Sequence, residues 1–280
     1  MSEKRTAISA ALTSIMCVQG GASLAKRLFP VLGPAGASSL RIGLSAILLL
    51  LINRPNFKAL TKQQWLCCLG YGVSIGGMNL LFYFAIERVP LGLGVTVEFV
   101  GPLLLALFLS RKVLDVLWAL LACVGILLIV PWKSNNVDLF GLAMAFTAGM
   151  FWVGYIVMGS KVSQLIDGRT AVSVGTLFAA MIIVPVGIAS GGLVHLTLNL
   201  FLLGLAVAIL SSALPFTLDL VAMKRMPAKS FSILTSLHPA FAALSGLLFL
   251  GEALSLIQWL SIACVVFASI GTTITSSKAS

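Results

Sequence analysis

Charge is what this chain has least of. Asp, Glu, Lys and Arg make up 9% of its 280 residues, while hydrophobic residues make up 59%. Soluble domains run at about 25% charged, so the composition excludes a soluble globular enzyme and indicates an integral membrane protein. Acids are scarcer than bases, 8 against 18, which leaves a net charge of +10. In a soluble protein that excess would suggest nucleic acid. Here the bases sit in short loops between apolar runs, where they set membrane orientation, so no nucleic-acid partner is expected. Cysteine is also sparse: Cys17, Cys67, Cys68, Cys123 and Cys264 all fall in apolar segments without metal or redox spacing. They read as small buried hydrophobes, and neither a metal nor another cofactor is expected. No Walker A sequence occurs, and the loops are too short for an ATPase domain, so ATP is not the direct driving force.

What the chain does have is an internal echo. Phe84-Ala85-Ile86-Glu87-Arg88-Val89-Pro90 is matched by Val221-Ala222-Met223-Lys224-Arg225-Met226-Pro227, and each leads into an apolar segment with a proline, Pro102 and Pro239. Trp118 and Ala122-Cys123 are echoed by Trp259 and Ala263-Cys264. Duplication in so apolar a chain is the mark of a transporter built from two structural repeats.

The length leaves room for roughly ten spans of about 20 residues and little else. Breaks in hydropathy place them at 7–29, 35–52, 66–86, 92–110, 114–131, 138–160, 170–189, 198–222, 229–250 and 255–275. Lys4, Arg5 and Ser23-Leu24-Ala25 imitate a signal peptide. Cleavage there would break the repeat, so the segment is kept as the first span. The expected fold is therefore all-α and integral to the membrane, with five-helix repeats at 1–133 and 134–280.

With the N-terminus inside, cytoplasmic segments hold Lys4, Arg5, Arg54, Lys58, Lys62, Arg111, Lys112, Lys161, Arg169, Lys224, Arg225, Lys229 and Lys278. The other side holds only Lys26, Arg27, Arg88 and Lys133. This bias predicts both termini in the cytoplasm. An odd number of spans per half then requires the repeats to insert in opposite senses. The duplicated loops agree. Glu87-Arg88 carries no net charge, whereas its counterpart carries Lys224, Arg225 and Lys229; Arg111-Lys112 is answered by the base-free Gly251-Glu252-Ala253. Inverted repeats favour alternating access around a site near the midplane.

A polar side chain at that depth costs a few kcal/mol unless it finds partners or water. Glu98 is the one carboxylate placed at the membrane centre, with Asp219 nearer the cytoplasmic end of its span and Glu252 at a boundary. Gln19, Asn79, Ser211, Ser212 and His238 complete the central polar set, and Tyr83, Phe99, Trp152, Tyr155 and Phe216 lie at similar depths as a pocket wall. Hydrogen bonding between helices competes as an explanation for the neutral groups, and packing for the aromatics. Pro102, Pro215 and Pro239 free a carbonyl one turn back, for a ligand or for hinge motion. Arg41 is expected to snorkel to the outer interface, with a gate as the other option.

Gly72-Val73-Ser74-Ile75-Gly76 fits the G-x-S-x-G nucleophile elbow. That motif needs a strand–turn–helix setting, whereas here it lies in an apolar helix and doubles as GxxxG, so close helix packing is expected instead. An intramembrane serine protease using Ser74 and His238 is the alternative from another class.

These residues together resemble the ten-helix EamA branch of the drug/metabolite transporter superfamily, and most of all its bacterial threonine/homoserine exporters. The resemblance runs nearly the whole chain. It is carried by Gln19-Gly20-Gly21-Ala22-Ser23-Leu24-Ala25-Lys26, Gly76-Gly77-Met78-Asn79, Val89-Pro90-Leu91-Gly92 and Glu98-Phe99-Val100-Gly101-Pro102. In the second half it rests on Leu203 to Ser211, Ala213-Leu214-Pro215 and Phe249-Leu250-Gly251-Glu252. It implies export of small amino acids across the bacterial inner membrane, by exchange or coupled to protons. His238 departs from the family pattern, which has an acid before that proline. The substrate-binding set expected is Gln19, Asn79, Tyr83, Glu98, Phe99, Trp152, Tyr155, Ser211, Phe216 and His238. Glu98 would take the substrate ammonium or a proton in turn, while Asn79, Gln19, His238 or the ends of interrupted helices face the carboxylate. An exporter of aromatic amino acids or toxic cations, stacking them on Trp152, Tyr155 and Phe216, is the alternative within transport. Oligomeric state is open.

Overall fold

The computed structural model describes residues 2–109, 114, 117–118, 120–121, 124–125, 128, 138–251 and 255–277. The expected fifth span lies largely outside them, as do Arg111, Lys112, Cys123, Lys133, Asn135, Asn136, Glu252 and Lys278. Among the described residues there is no strand. In chain order the helices are α1 Ser2–Lys26, α2 Phe29–Asn53, α3 Lys62–Arg88, α4 Leu91–Glu98, α5 Val100–Phe108 and α6 Leu139–Leu165. Then come α7 Gly168–Ala189, α8 Leu198–Ala208, α9 Leu214–Arg225, α10 Ala228–Leu234, α11 His238–Ser245 and α12 Leu256–Ser277.

Polar residues at the span ends start and stop these helices. Thr61 and Gln64 form a reciprocal capping box at the start of α3, and Asp138, Asp167 and Thr197 cap α6, α7 and α8. Each cap satisfies a backbone N–H that the first helical turn leaves open. Left-handed residues end two segments, Arg54 at φ 45° after α2 and Gly251 at φ 69° before α12.

Several spans are broken in mid-course. α2 bends at Gly33, where φ is 65° and Pro34 follows, so its regular part starts where the sequence placed the second span. The fourth span divides at Phe99 into α4 and α5. A π turn at Ile209–Ala213 joins α8 to α9, and a 3-10 turn at Thr235–Leu237 joins α10 to α11. Pro215 and Pro239 sit in the first turn after these irregularities, where a proline needs no N–H partner. The carbonyl expected to be left open by Pro239 is occupied, because Thr235 O accepts from the His238 N–H.

Among the described residues, seven helical segments are long and apolar enough to cross a membrane, and the stretches His238–Leu250 and Leu256–Ala268 are shorter apolar helices. Large apolar side chains face outward along them, among them Phe108 at 88% and Ile52 at 73% exposure. An outer surface this apolar fits lipid rather than water. The protein is integral to the membrane.

Inter-helix packing is organised in pairs that swap on exchanging the two halves. α3 runs along α6, and α1 along α9; α4 lies on α6, and α11 on α1; α3 meets α7, and α8 meets α2. Two further contacts, α2 with α7 and α4 with α11, map onto themselves under the same exchange. The close approaches follow this pattern. A Cβ on Gly21 would come within 2.6 Å of the Ser211 Cβ, and one on Gly154 within 2.6 Å of the Ser74 Oγ. Small residues at such crossings let backbones approach where lipid supplies no hydrophobic drive. Gly72 likewise packs on Gly175 and Phe178, which is the helix contact expected of the GxxxG stretch. Of the cysteines, Cys67 and Cys68 are buried as expected, but Cys17 and Cys264 are only partly covered.

Candidate functional site

Seven segments converge on one cavity of about 50 Å³ in the middle of the bundle. α1 contributes Val18, Gln19 and Ala22; α2 contributes Arg41; α3 contributes Met78, Asn79 and Phe82; α4 ends there with Glu98. α6 adds Trp152 and Tyr155, the π turn and α9 add Ser211, Phe216 and Asp219, and α11 begins there with His238. At about 10–15 Å³ each, the space holds roughly three to five water molecules.

The broken spans explain why so many polar groups reach one place. Glu98 is the last residue of α4, and His238 is the first of α11, each at a discontinuity. Ser211 and Ser212 lie in the π turn, whose wider coil displaces their side chains from the regular helical face. Backbone irregularity at this depth is tolerated because protein and a polar cavity cover it.

Arg41 is the centre of the hydrogen bonding. It is 3% exposed, and its Nε donates to Ser212 Oγ at 2.8 Å while one terminal nitrogen donates to the Tyr83 hydroxyl at 2.9 Å. The other terminal nitrogen donates to Asn79 Oδ1, and the guanidinium carbon stands 5.0 Å from the Tyr83 ring centroid. Glu98, 6% exposed, has no hydrogen-bond partner among the described residues, and the Arg41 charge acts on it. Gln19 Nε2 donates to His238 Nδ1 at 2.7 Å, which puts the ring proton on Nε2. The His238 ring also meets Trp152 edge to face at 4.8 Å. On the far side, the Tyr155 hydroxyl donates to Asp219 Oδ2 at 2.7 Å.

Of the ten residues expected from the sequence, Gln19, Asn79, Glu98, Trp152, Tyr155, Ser211, Phe216 and His238 line the cavity. Tyr83 and Phe99 stand behind it instead: Tyr83 supports Arg41, and Phe99 packs edge-on against Trp152 at 6.2 Å. Arg41 corrects the sequence reading. It does not snorkel: it is buried, and Ser212, Tyr83 and Asn79 hold its guanidinium inside the bundle. A charge that deep is a functional candidate by default, and that signal was present in the sequence. Asp219, expected nearer the end of its span, lines the cavity as well. Ser74 and His238 are not brought together. Ser74 Oγ donates to Gly70 O at 2.8 Å, and Ser74 does not line the cavity. Among the described residues no group of three His, Cys, Asp or Glu is placed to hold a metal.

Residues 139–274 match the EamA-like transporter family. The threonine/homoserine exporter RhtA of Escherichia coli (strain K12) is 44% identical over 271 residues, covering 96% of this chain and 92% of the exporter. RhtA of Salmonella typhimurium (strain LT2) is 43% identical over 266 residues, covering 94% of this chain and 90% of that protein. A solved crystal structure with 16% identity superposes with a TM-score of 0.70 and covers 98% of both chains, which shows a shared fold.

Proposed function

The chain belongs to the EamA-like transporter family, and on that premise we propose that it exports small amino acids of the threonine and homoserine kind. It is a transporter and not an enzyme. The observation that carries the substrate reading is the cavity: a buried carboxylate, a buried guanidinium and a few neutral polar groups surround a space of about 50 Å³. A small zwitterion matches that combination of size and charge. A bulky cation meets the wall of Trp152, Tyr155 and Phe216 but offers no group for Arg41.

The architecture we propose is ten spans in two five-helix units, 1–133 and 134–280, inserted in opposite senses with both termini in the cytoplasm of a bacterial inner membrane. The paired packing described above supports the two-unit part of this, since contacts that swap on exchanging the halves are what a duplicated unit produces, and the loop charges support the opposite insertion. The equivalent placement of Ser74 against Gly154 and of Ser211 against Gly21 supports it further. Alternating access then works by rocking one unit on the other around the shared cavity, with flexing at Pro102, Pro215 and Pro239. Glu98 takes the substrate ammonium or a proton in turn, which couples the two fluxes through one carboxylate.

Counterflow in proteoliposomes with labelled threonine, homoserine, phenylalanine and a quaternary ammonium ion tests the substrate reading. Threonine and homoserine are expected to exchange. Exchange of only the aromatic or the cationic probe would replace this reading with the alternative one.

A further inference from the structure

We propose that Arg41 is the anchor for the substrate's carboxylate, so that with Glu98 it makes a two-pole pocket admitting α-amino acids and refusing amines without a carboxylate. This rests on the amino-acid reading above and adds the residue that recognises the acid.

Of the donors suggested by the sequence, Asn79 and Gln19 each have one amide N–H committed elsewhere, and none of them carries a fixed positive charge. Asn79 Oδ1 accepts from Arg41, and its Nδ2 donates to Ile75 O at 2.8 Å. Gln19 Nε2 donates to His238. Arg41 is different. A guanidinium carries five N–H donors, and its bonds to Ser212, Tyr83 and Asn79 engage three of them. One donor on each terminal nitrogen therefore makes no hydrogen bond among the described residues, and Arg41 lines the cavity. A pair of N–H groups on neighbouring guanidinium nitrogens is the geometry that grips a carboxylate in a bidentate fork.

Two further atoms in the same cavity lack partners. Gln19 Oε1 and Ser211 Oγ are buried without a hydrogen bond, and both residues line the space. A buried unpaired polar atom that borders a cavity can be completed by a ligand or water entering it. The Ser211 hydroxyl can donate to the carboxylate that Arg41 holds, and Gln19 Oε1 can accept from the ammonium that Glu98 attracts. The shell around Arg41 is neutral: Tyr83, Asn79 and Ser212 aim the guanidinium without cancelling its charge. Glu98 lines the same cavity without being hydrogen-bonded to Arg41, so a zwitterion can bridge the two.

The test compares L-threonine with L-threoninamide, which keeps the ammonium and loses the anionic carboxylate. Binding to the purified full-length protein is measured for the wild type, Arg41→Gln and Arg41→Lys. The wild type is expected to bind threoninamide at least about tenfold more weakly. Arg41→Gln should weaken threonine about tenfold to hundredfold, the value of a hydrogen bond to a charged group, and leave threoninamide unchanged. Arg41→Lys should recover part of the preference, since it restores the charge but not the fork. An acid-to-amide ratio that is the same in wild type and Arg41→Gln overturns the proposal. If Arg41→Gln aggregates, the wild type decides, because equal binding of acid and amide also overturns it. A wild type that binds neither threonine nor homoserine sinks the amino-acid reading first, and this proposal with it.

Discussion

Glu98 is buried, ionisable and without a hydrogen-bond partner among the described residues, so its protonation state depends on what enters the cavity. Replacing it with Gln keeps the shape and removes the charge. Glu98→Gln is expected to cut threonine efflux by about tenfold to hundredfold and to flatten its pH dependence; unchanged efflux with an unchanged pH response would remove Glu98 from the mechanism. Asp138 is the titrating group at the opposite extreme of exposure. It lies before the sixth span, where the Gly141 N–H and then Arg88, at 3.0 Å, hold its carboxyl below the ordinary value of 3.8. A carboxyl lowered in this way stabilises the fold above pH 3.8 and loses its contribution as pH falls through the folded value, which is lower still. Asp138→Asn keeps an acceptor at the cap and removes the charge. Thermal unfolding in detergent should show the variant less stable at neutral pH and the gap closing towards pH 3. The exposed site limits the effect, so a gap that persists unchanged at low pH would argue that packing and not charge is responsible.

At the scale of elements, glycines fix how closely broken helices approach. A Cβ on Gly101 would collide with the Gly149 carbonyl, and one on Gly149 with the Glu98 carbonyl. That contact seats the end of α4, and hence Glu98, against α6. Gly149→Val is expected to cost about 1–3 kcal/mol through overpacking and to displace Glu98, so both melting temperature and threonine binding should fall. Unaltered binding in a folded variant would separate the glycine contact from the site. Pro239 belongs to a different class, since it opens α11 after a 3-10 turn and its preceding carbonyl is already satisfied. If it serves motion, Pro239→Ala should slow maximal exchange several-fold while leaving threonine affinity intact; equal loss of both would mark a structural role.

For the whole molecule, the asymmetry of basic loops and the paired packing both bear on topology. Reporter fusions at the C-terminus should read cytoplasmic, and a periplasmic reading would break the proposed inversion of the two units. Span positions were legible along the chain because burial in lipid leaves a long apolar run that ends at charge, Pro or Gly, and these marks need no partner to be seen. That Gln19, Asn79, Glu98, Ser211 and His238 belong together was legible for a similar reason. Depth is a count along a helix, and all five do line the cavity.

The direction a residue faces was not legible in the same way. A helix that is apolar around its whole circumference shows no polar stripe to mark its inner side. Tyr83 and Phe99, expected in the wall, stand behind it, against Arg41 and Trp152. Arg41 was misplaced for a related reason. Which side of α2 faces the bundle cannot be read from so apolar a segment, and Arg41 lies on that side, held by Ser212, Tyr83 and Asn79. Membrane residence, helix positions and the central carboxylate follow from transfer energies and local backbone rules, which act on each segment separately. Which cation meets that carboxylate, and across what distance, depends on how helices far apart in the chain rotate against each other, and that is a property of their packing.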